Sequence, residues 1–324
     1  MDQRTVQFDM FSWQVVPWSV MRDDVRYLEQ LDIGTVWLGD AYLMPAGWGS
    51  VLDAWTTLGA LAACTERVRL GTLISNISLR HPAMLAKQAA TVDRISGGRL
   101  DLGIGAGTDL PEDRAALGLP ALTPGARVDR LAEAVAVIDG LLRGQQVTLH
   151  GEHYRLDGAR VEPAPVQRPR PPLVMGGNGK RALRVAAEYA DAWVSDAPEP
   201  TLEEAIEATR ERNRLLDDYC EGLRRDPATV ERGCIFGWSP AGSPFTSRDA
   251  FGDFVGRYRE AGVQRFVFSF GSTATPPPYD AWVTAGRWAT RETLEAFAIE
   301  AMAELQGVAN LTATPPLTSA VKEH

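Results

Sequence analysis

Short apolar runs recur along the chain, each followed by a longer segment of helical period, and that alternation restricts the fold more than any single motif does. The runs span Val6 to Ser12, Thr35 to Leu38, Val68 to Ile74 and Leu100 to Gly105, and four more begin near Pro172, Ala192, Glu231 and Arg265. The last, Arg265-Phe-Val-Phe-Ser-Phe270, is almost continuous in bulky side chains, as a parallel strand covered on both faces requires. Between the runs, Leu85, Ala89 and Val92 share one helical face. Val128, Leu131, Val135 and Ile138 share another, in a helix expected to end at Gly140, and Thr290 to Leu305 makes a closing helix. Eight strand–helix units are what a closed parallel barrel needs, so the chain is read as an α/β protein, a (β/α)8 barrel. Such barrels run from about 200 to over 400 residues as one domain. Residues 1–310 are therefore assigned to a single domain, and 311–324, with Pro315 and Pro316, to a flexible C-terminal tail.

One interval is too long for a simple strand-to-helix connection. From Gly107 to Pro172 the chain carries a helix, then Thr148-Leu-His-Gly-Glu-His-Tyr-Arg-Leu156, which reads as a small hairpin, then a proline-rich run from Pro163 to Pro172. This reads as an insertion after the fourth strand, at about 108–171, lying over the barrel mouth. Ser239 to Ser247 reads as a second irregular loop.

With 42 acidic and 33 basic residues, the net charge of −9 favours solubility and disfavours nucleic acid or anionic membrane as a partner. No stretch approaches the roughly 20 apolar residues of a membrane-spanning helix. Met1 to Trp13 hold no signal-type apolar core, and Cys64, Cys220 and Cys234 read as reduced thiols. Together these features point to a cytoplasmic protein whose partner is a small-molecule substrate.

Ligands of such barrels bind where the strands end, so the residues just after each apolar run are the informative ones. After the fifth run, Met175-Gly-Gly-Asn-Gly-Lys-Arg-Ala-Leu183 opens a helix. Its glycines let the main chain approach a ligand, helix-start amides suit an anion, and Lys180 and Arg181 add positive charge. The same residues also suit a plain glycine-rich turn capped by Asn178. After the fourth run, Gly103-Ile-Gly-Ala-Gly107 lacks the spacing of a dinucleotide fingerprint. It permits close approach to a flat ring, or simply makes a tight turn. The second run ends Leu38-Gly-Asp40, a carboxylate that contacts a ligand or caps Ala41 and its neighbours. The third passes into His81-Pro82, with proline at the first helical position and His81 read as a capping or packing residue.

What is missing narrows the chemistry. His81, His150, His153 and His324 form no His-x-His or His-Glu-x-x-His pair, so no metal site is expected. The lysines are Lys87, Lys180 and Lys322, none at a strand end within an apolar run, and a Schiff-base enzyme would lack its nucleophile. A cofactor is expected to carry the difficult step.

The segment Arg80-His-Pro-Ala-Met-Leu-Ala-Lys-Gln-Ala-Ala-Thr-Val-Asp-Arg-Ile-Ser-Gly-Gly-Arg-Leu-Asp-Leu-Gly-Ile-Gly-Ala-Gly107 resembles the signature of bacterial-luciferase-like flavin- and deazaflavin-dependent oxidoreductases. So do Gly151-Glu-His-Tyr-Arg-Leu156 with Pro163-Ala-Pro-Val-Gln167, and Pro171 through Ala187-Glu-Tyr-Ala-Asp-Ala-Trp193. The resemblance runs from about Val6 to Phe270. It implies a TIM barrel with a long insertion after strand four and a cofactor across the carboxyl-end mouth. By position, Gly176, Gly177, Asn178 and Gly179, with Lys180, would hold the cofactor phosphate, and Gly105, Ala106 and Gly107 would line its side. A non-prolyl cis peptide near Leu73-Ile74, beside Ser75, would support the ring, as in many deazaflavin users. Sugar-phosphate and alcohol dehydrogenases of the family carry Asp-His after the second strand and Glu after the fourth. Here Asp40-Ala41 and Thr108-Asp109 stand in those places, so a simple alcohol dehydrogenase is not expected.

The resemblance supports three readings. The first is coenzyme F420-dependent hydride transfer to or from a small organic substrate, suggested by the Gly176-to-Lys180 turn and the Tyr189-to-Trp193 run. The second is a two-component FMN-dependent monooxygenase using O2 and reduced FMN from a separate reductase. The third is a non-catalytic flavin-binding barrel. Asp40, Asn76 and Asp109 are the catalytic candidates, and Phe11, Trp13, Trp18 and Trp48 either shape the substrate pocket or pack the rim. A homodimer is the family-based expectation.

Overall fold

The protein's structure, a computed structural model, describes residues 6–45, 48–107, 111–238, 242–271 and 285–307. The first half runs β1 (Gln7–Ser12), α1 (Trp18–Gln30), β2 (Thr35–Leu38), α2 (Ala54–Cys64), β3 (Arg69–Asn76), α3 (Pro82–Ile95) and β4 (Leu100–Gly105). There follow α4 (Pro111–Leu117), α5 (Pro124–Leu142) and the strands β5 (Val147–His150) and β6 (Arg155–Ala159). The second half runs β7 (Leu173–Gly176), α6 (Lys180–Tyr189), β8 (Ala192–Asp196), α7 (Leu202–Gly222), β9 (Glu231–Phe236), α8 (Arg248–Glu260) and β10 (Arg265–Ser269). A final helical run, 291–306, has a π-helical middle turn at Leu294–Ala298. Eight strands close into a parallel barrel in the order β1-β10-β9-β8-β7-β4-β3-β2, and β5 pairs antiparallel with β6 outside it. The (β/α)8 reading therefore holds.

Local chemistry sets the helix starts. Asp53 accepts the Thr56 N–H at 2.8 Å, Thr123 the Ala126 N–H and Ser247 the Ala250 N–H. Each such cap contributes about 1 kcal/mol. Proline opens both α3 and α5, where its missing N–H costs nothing.

The strands alternate strictly. Phe8 and Met10 of β1, Val36 and Leu38 of β2, and Leu100, Leu102 and Ile104 of β4 pack outward against the helices. Phe11, Trp37, Val174, Val194 and Val267 form a second apolar cluster in the lumen. Below it the lumen is ionic. The Asp9 carboxylate accepts the Thr35 N–H and the Trp37 Nε1–H, both at 2.9 Å. Arg265 lies 2.9 Å from Glu231, 3.4 Å from Asp9 and 3.6 Å from Asp101. Burial pushes the carboxyls of Asp9 and Glu231 above their ordinary range, with Arg265 opposing the shift. This network plugs the amino end of the barrel and leaves the carboxyl end for a ligand.

Two expectations need correction. The helix through Val128 and Ile138 does not stop at Gly140 but continues to Leu142, and Gly144, at φ +79°, follows as the chain turns. The hairpin does not cover the mouth. It lies on the flank of α5, where Glu133 accepts the N–H groups of Glu152, His153 and Tyr154 at 2.8–3.0 Å. Tyr154, whose hydroxyl accepts from Arg130 Nε at 2.8 Å, and Leu156 are buried there, so the hairpin's apolar side is met by helices and not by the cleft. The proline-rich run descends beside α3, with Asp93 accepting the Val166 and Gln167 N–H groups. Among the described residues of the expected insertion, Asp113 of α4 is the one that lines the mouth.

Of the irregular stretch Ser239 to Ser247, residues 239–241 lie outside the described residues, and Pro244–Thr246 forms one 3-10 turn. The expected tail, 311–324, also lies outside them. Among the described residues no helix is long and apolar enough to cross a membrane.

Candidate active site

At the carboxyl ends of β1, β2, β3 and β9 the barrel opens into a cleft of about 410 Å3. Leu73, Ile74 and Asn76 from the end of β3 line it, with Leu43, Met44 and Trp48 from the loop after β2. Phe11, Trp13 and Trp238 form an aromatic corner. The Phe11–Trp13, Phe11–Trp238 and Trp13–Trp238 ring centroids are 5.3, 5.7 and 6.1 Å apart, all edge-to-face. Each such pair is favourable beyond its buried area, so the corner is a rigid wall. Phe11, Trp13 and Trp48 thus line the cleft as one of the two readings held, whereas Trp18 starts α1 and is not among the lining residues.

Asp40 stands where β2 meets the cleft, its side chain only 1% exposed. Both carboxylate oxygens accept from Arg80 Nη1, at 2.6 and 2.7 Å, and Oδ2 also accepts the Asn76 N–H at 3.0 Å. Arg80 Nη2 continues to Asp53 at 2.6 Å, the residue that caps α2. Burial raises the Asp40 carboxyl above its ordinary range, and the Arg80 guanidinium works against that rise. The four residues tie the end of β3 to the loop after β2. Asp40 does not cap Ala41. His81 is the cap of α3, its Nδ1 accepting the Ala83 N–H at 3.3 Å.

The end of β3 holds a cis peptide at Leu73-Ile74, at the position the resemblance implies. Ser75 is fully buried behind the cleft, sharing a 2.7 Å hydrogen bond with Thr72 and accepting from Trp55 Nε1. The glycines after β4 face protein side chains. A Cβ on Gly105 would lie 1.8 Å from Ile74 Cδ1, and one on Gly107 would lie 1.9 Å from Asn76 Oδ1. Gly107 also has φ +76° and lines the cleft, while Ala106 packs against the core. Asp109 lies outside the described residues.

The turn after β7 is different. Gly179 is the N-cap of α6 and no side chain caps that helix, so its first N–H groups have no side-chain acceptor. A Cβ at Gly179 would meet nothing within 4 Å. Gly177 and Gly179 are exposed, Lys180 is exposed on the first helical turn, and Gly176 is half-buried beneath Ile74. Asn178 does not cap α6, as one of the two readings of this turn had it. It donates to the Asp196 backbone carbonyl at 3.1 Å and accepts from Ser195 Oγ at 2.9 Å, pinning the turn to the end of β8. Arg181 pairs with Asp129.

Sequence reasoning missed Arg80, Asp113, Asp196 and Trp238. Asp113 accepts the Leu43 N–H at 3.0 Å and, with Asp196 and Trp238, lines the cleft. Asp196 and Trp238 follow apolar runs and had the positional signal. Arg80 lay inside the quoted motif, but nothing local marks it as the partner of a residue 40 positions earlier.

A family model described as luciferase-like monooxygenase matches residues 7–224. Over 149 residues the chain is 34% identical to an uncharacterised protein of Mycobacterium bovis, covering 46% of this chain and 49% of that protein. The chain thus spans about half the length of the curated relatives it matches. Among solved structures it is similar to the coenzyme F420 dependent tetrahydromethanopterin reductase from Methanopyrus kandleri, with a TM-score of 0.67 at 17% identity, covering 87% of this chain and 97% of that one. It is also similar to a long-chain alkane monooxygenase, with a TM-score of 0.72 at 12% identity, covering 95% and 93%. The structural likenesses speak to the fold, and the family model spans the motifs from β1 through the glycine turn to α7; on that match the chain belongs to the luciferase-like monooxygenase family.

Proposed function

We propose that the chain is a coenzyme F420-dependent oxidoreductase that transfers hydride to or from a small organic substrate bound in the cleft. The make-up of the cleft carries this reading. Its described lining is aromatic and aliphatic with three carboxylates, and includes no His, Cys, Ser or Lys side chain. Such walls supply no thiol, hydroxyl or amine nucleophile and no imidazole base, and Asp40 and Asp196 are engaged by Arg80 and Asn178, so the redox chemistry falls to a bound ring.

The residues present fit a planar, phosphorylated cofactor. The uncapped start of α6, open space over Gly179 and the Lys180 ammonium suit a phosphate. Leu73 and Ile74 offer an apolar floor for the ring, flanked by Asn76 and by Ala106 and Gly107 on β4's exit. When bound, a deazaflavin supplies a hydride donor or acceptor. The Phe11–Trp13–Trp238 wall excludes water from the opposite side. Asp40 acts as a positioning residue: held by Arg80 and the Asn76 N–H, it fixes the floor and does not shuttle a proton. The likeness to a reductase named for F420 and the resemblance of the glycine turn to deazaflavin relatives both support this choice.

The second reading is a two-component FMN-dependent monooxygenase. It is favoured by the family description and by the likeness to an alkane monooxygenase. A separate reductase would then be a partner. In either case we propose a homodimer and a single barrel domain.

Titration with F420 and with FMN, followed by absorbance and fluorescence, separates the readings. F420 binding without oxygen uptake is expected. Tight FMN binding alone, with oxygen uptake that requires a reductase, would overturn the proposal, and turnover with either cofactor removes a purely binding role.

A further inference from the structure

Beside the main cleft, and sharing Asp196, Ile235 and Trp238 with it, lies a chamber of about 190 Å3. Phe236, Phe254 and Pro244 make it largely apolar. Among the described residues lining the two spaces, Arg287 alone is basic. Its Nε is buried and has no hydrogen-bond partner. Asp196, on the same chamber, is engaged by Asn178 instead. A buried guanidinium nitrogen without an acceptor is costly, and calls for a missing partner.

The main chain around Arg287 is held on both sides. Gly286 O accepts the Phe245 N–H at 3.0 Å, Trp288 Nε1 donates to Gly237 O at 3.0 Å, and the Ala289 N–H donates to Ser269 O at 2.8 Å. Trp288 is only 2% exposed. The charge is therefore anchored in the wall of the chamber.

Charge placement says what the partner is. Asp40 and Asp113 line the main cleft and not the chamber, and the described lining of the cleft includes no cation, so an anionic group is less favoured there than beside Arg287. Residues 46–47, 108–110, 239–241 and 272–284, which lie outside the described residues, contain neither Lys nor Arg. An arginine fork matches the oxygens of a carboxylate or a phosphate. We propose that the substrate is an oxyanion-bearing compound whose acidic group is received by Arg287 in the side chamber, while its planar apolar body lies in the main cleft against Trp238. This rests on the reading of the cleft as the substrate site.

The test is isothermal titration of the purified chain with 2-naphthoate, 2-naphthyl phosphate and the neutral 2-naphthamide. At least one anion is expected to bind about ten- to a hundred-fold more tightly than the amide, as a charge-assisted pair provides. The anion with the larger advantage identifies the group. Arg287→Gln should erase that advantage and leave the amide's affinity unchanged. Arg287→Lys, which keeps the charge without the fork, should keep part of it, and carries the test if the Gln variant does not fold. The proposal is overturned if the amide binds as tightly as both anions, if no probe binds, or if the substitutions leave anion binding unchanged or weaken all three probes alike. No cofactor is present, so an error in the F420 assignment leaves this result untouched.

Discussion

Removing Arg80 tests the idea that Asp40 is an anchored carboxylate. Arg80→Met keeps most of the apolar stem and deletes the guanidinium, leaving a side chain that is 1% exposed with a charge and one remaining donor, the Asn76 N–H at 3.0 Å. Breaking a buried pair by removing one partner costs about 3–5 kcal/mol. Arg80 is itself 14% exposed, and its second partner, Asp53, is half in solvent and contributes little, so about 3 kcal/mol is expected. At about 2 cal/mol/K per residue of unfolding entropy, that loss lowers the Tm of a 324-residue chain by about 4 °C. The sign of the pH dependence follows from the direction of the Asp40 shift. Its folded carboxyl already lies above the ordinary 3.8, and losing Arg80 raises it further. The native state then holds the proton more tightly than the unfolded chain, so stability falls as pH rises through that raised value. The deficit of Arg80→Met should be full at pH 7.5 and shrink as the pH is lowered toward 5. Calorimetric melting of wild type, Arg80→Met and Arg80→Met/Asp40→Asn at both values measures this, with the double variant recovering more than half of the loss. A deficit that is the same at both pH values, or that Asp40→Asn leaves unrelieved, would refute the reasoning.

Three further outcomes are expected. Gly179→Asp places a carboxylate in open space at an extended position, φ −73°, so thermal stability should hold or rise slightly while affinity for a phosphorylated cofactor drops at least about ten-fold; equal affinity would remove the α6 start from the phosphate site. Gly107→Ala meets both a φ of +76° and the Asn76 side chain 1.9 Å from the new Cβ, and should cost about 1–3 kcal/mol in urea unfolding. Arg265→Met leaves Asp9, Asp101 and Glu231 facing one another in the lumen and should destabilise by more than about 3 kcal/mol at neutral pH, less as Asp9 and Glu231 are protonated; a neutral effect would show that the lower plug is not held by charge.

The sequence by itself determined the barrel, because its cues are local. Alternation along Phe8 to Phe11 sorts side chains between lumen and helix layer, and Asp53, Thr123 and Ser247 cap helices three residues away. The glycine turn that opens α6 at Gly177 to Lys180 was legible for the same reason. Tertiary closure alone decided what the mouth contains. It pairs Asp40 with Arg80 and Trp13 with Trp238, and it sends Asn178 to Asp196 when local chemistry had suggested a helix cap. It also lays the hairpin on α5, where Glu133 satisfies three of its amides. Such partners meet only after eight strands have bent into a circle, and no periodicity or turn signal encodes a neighbour brought together by that closure.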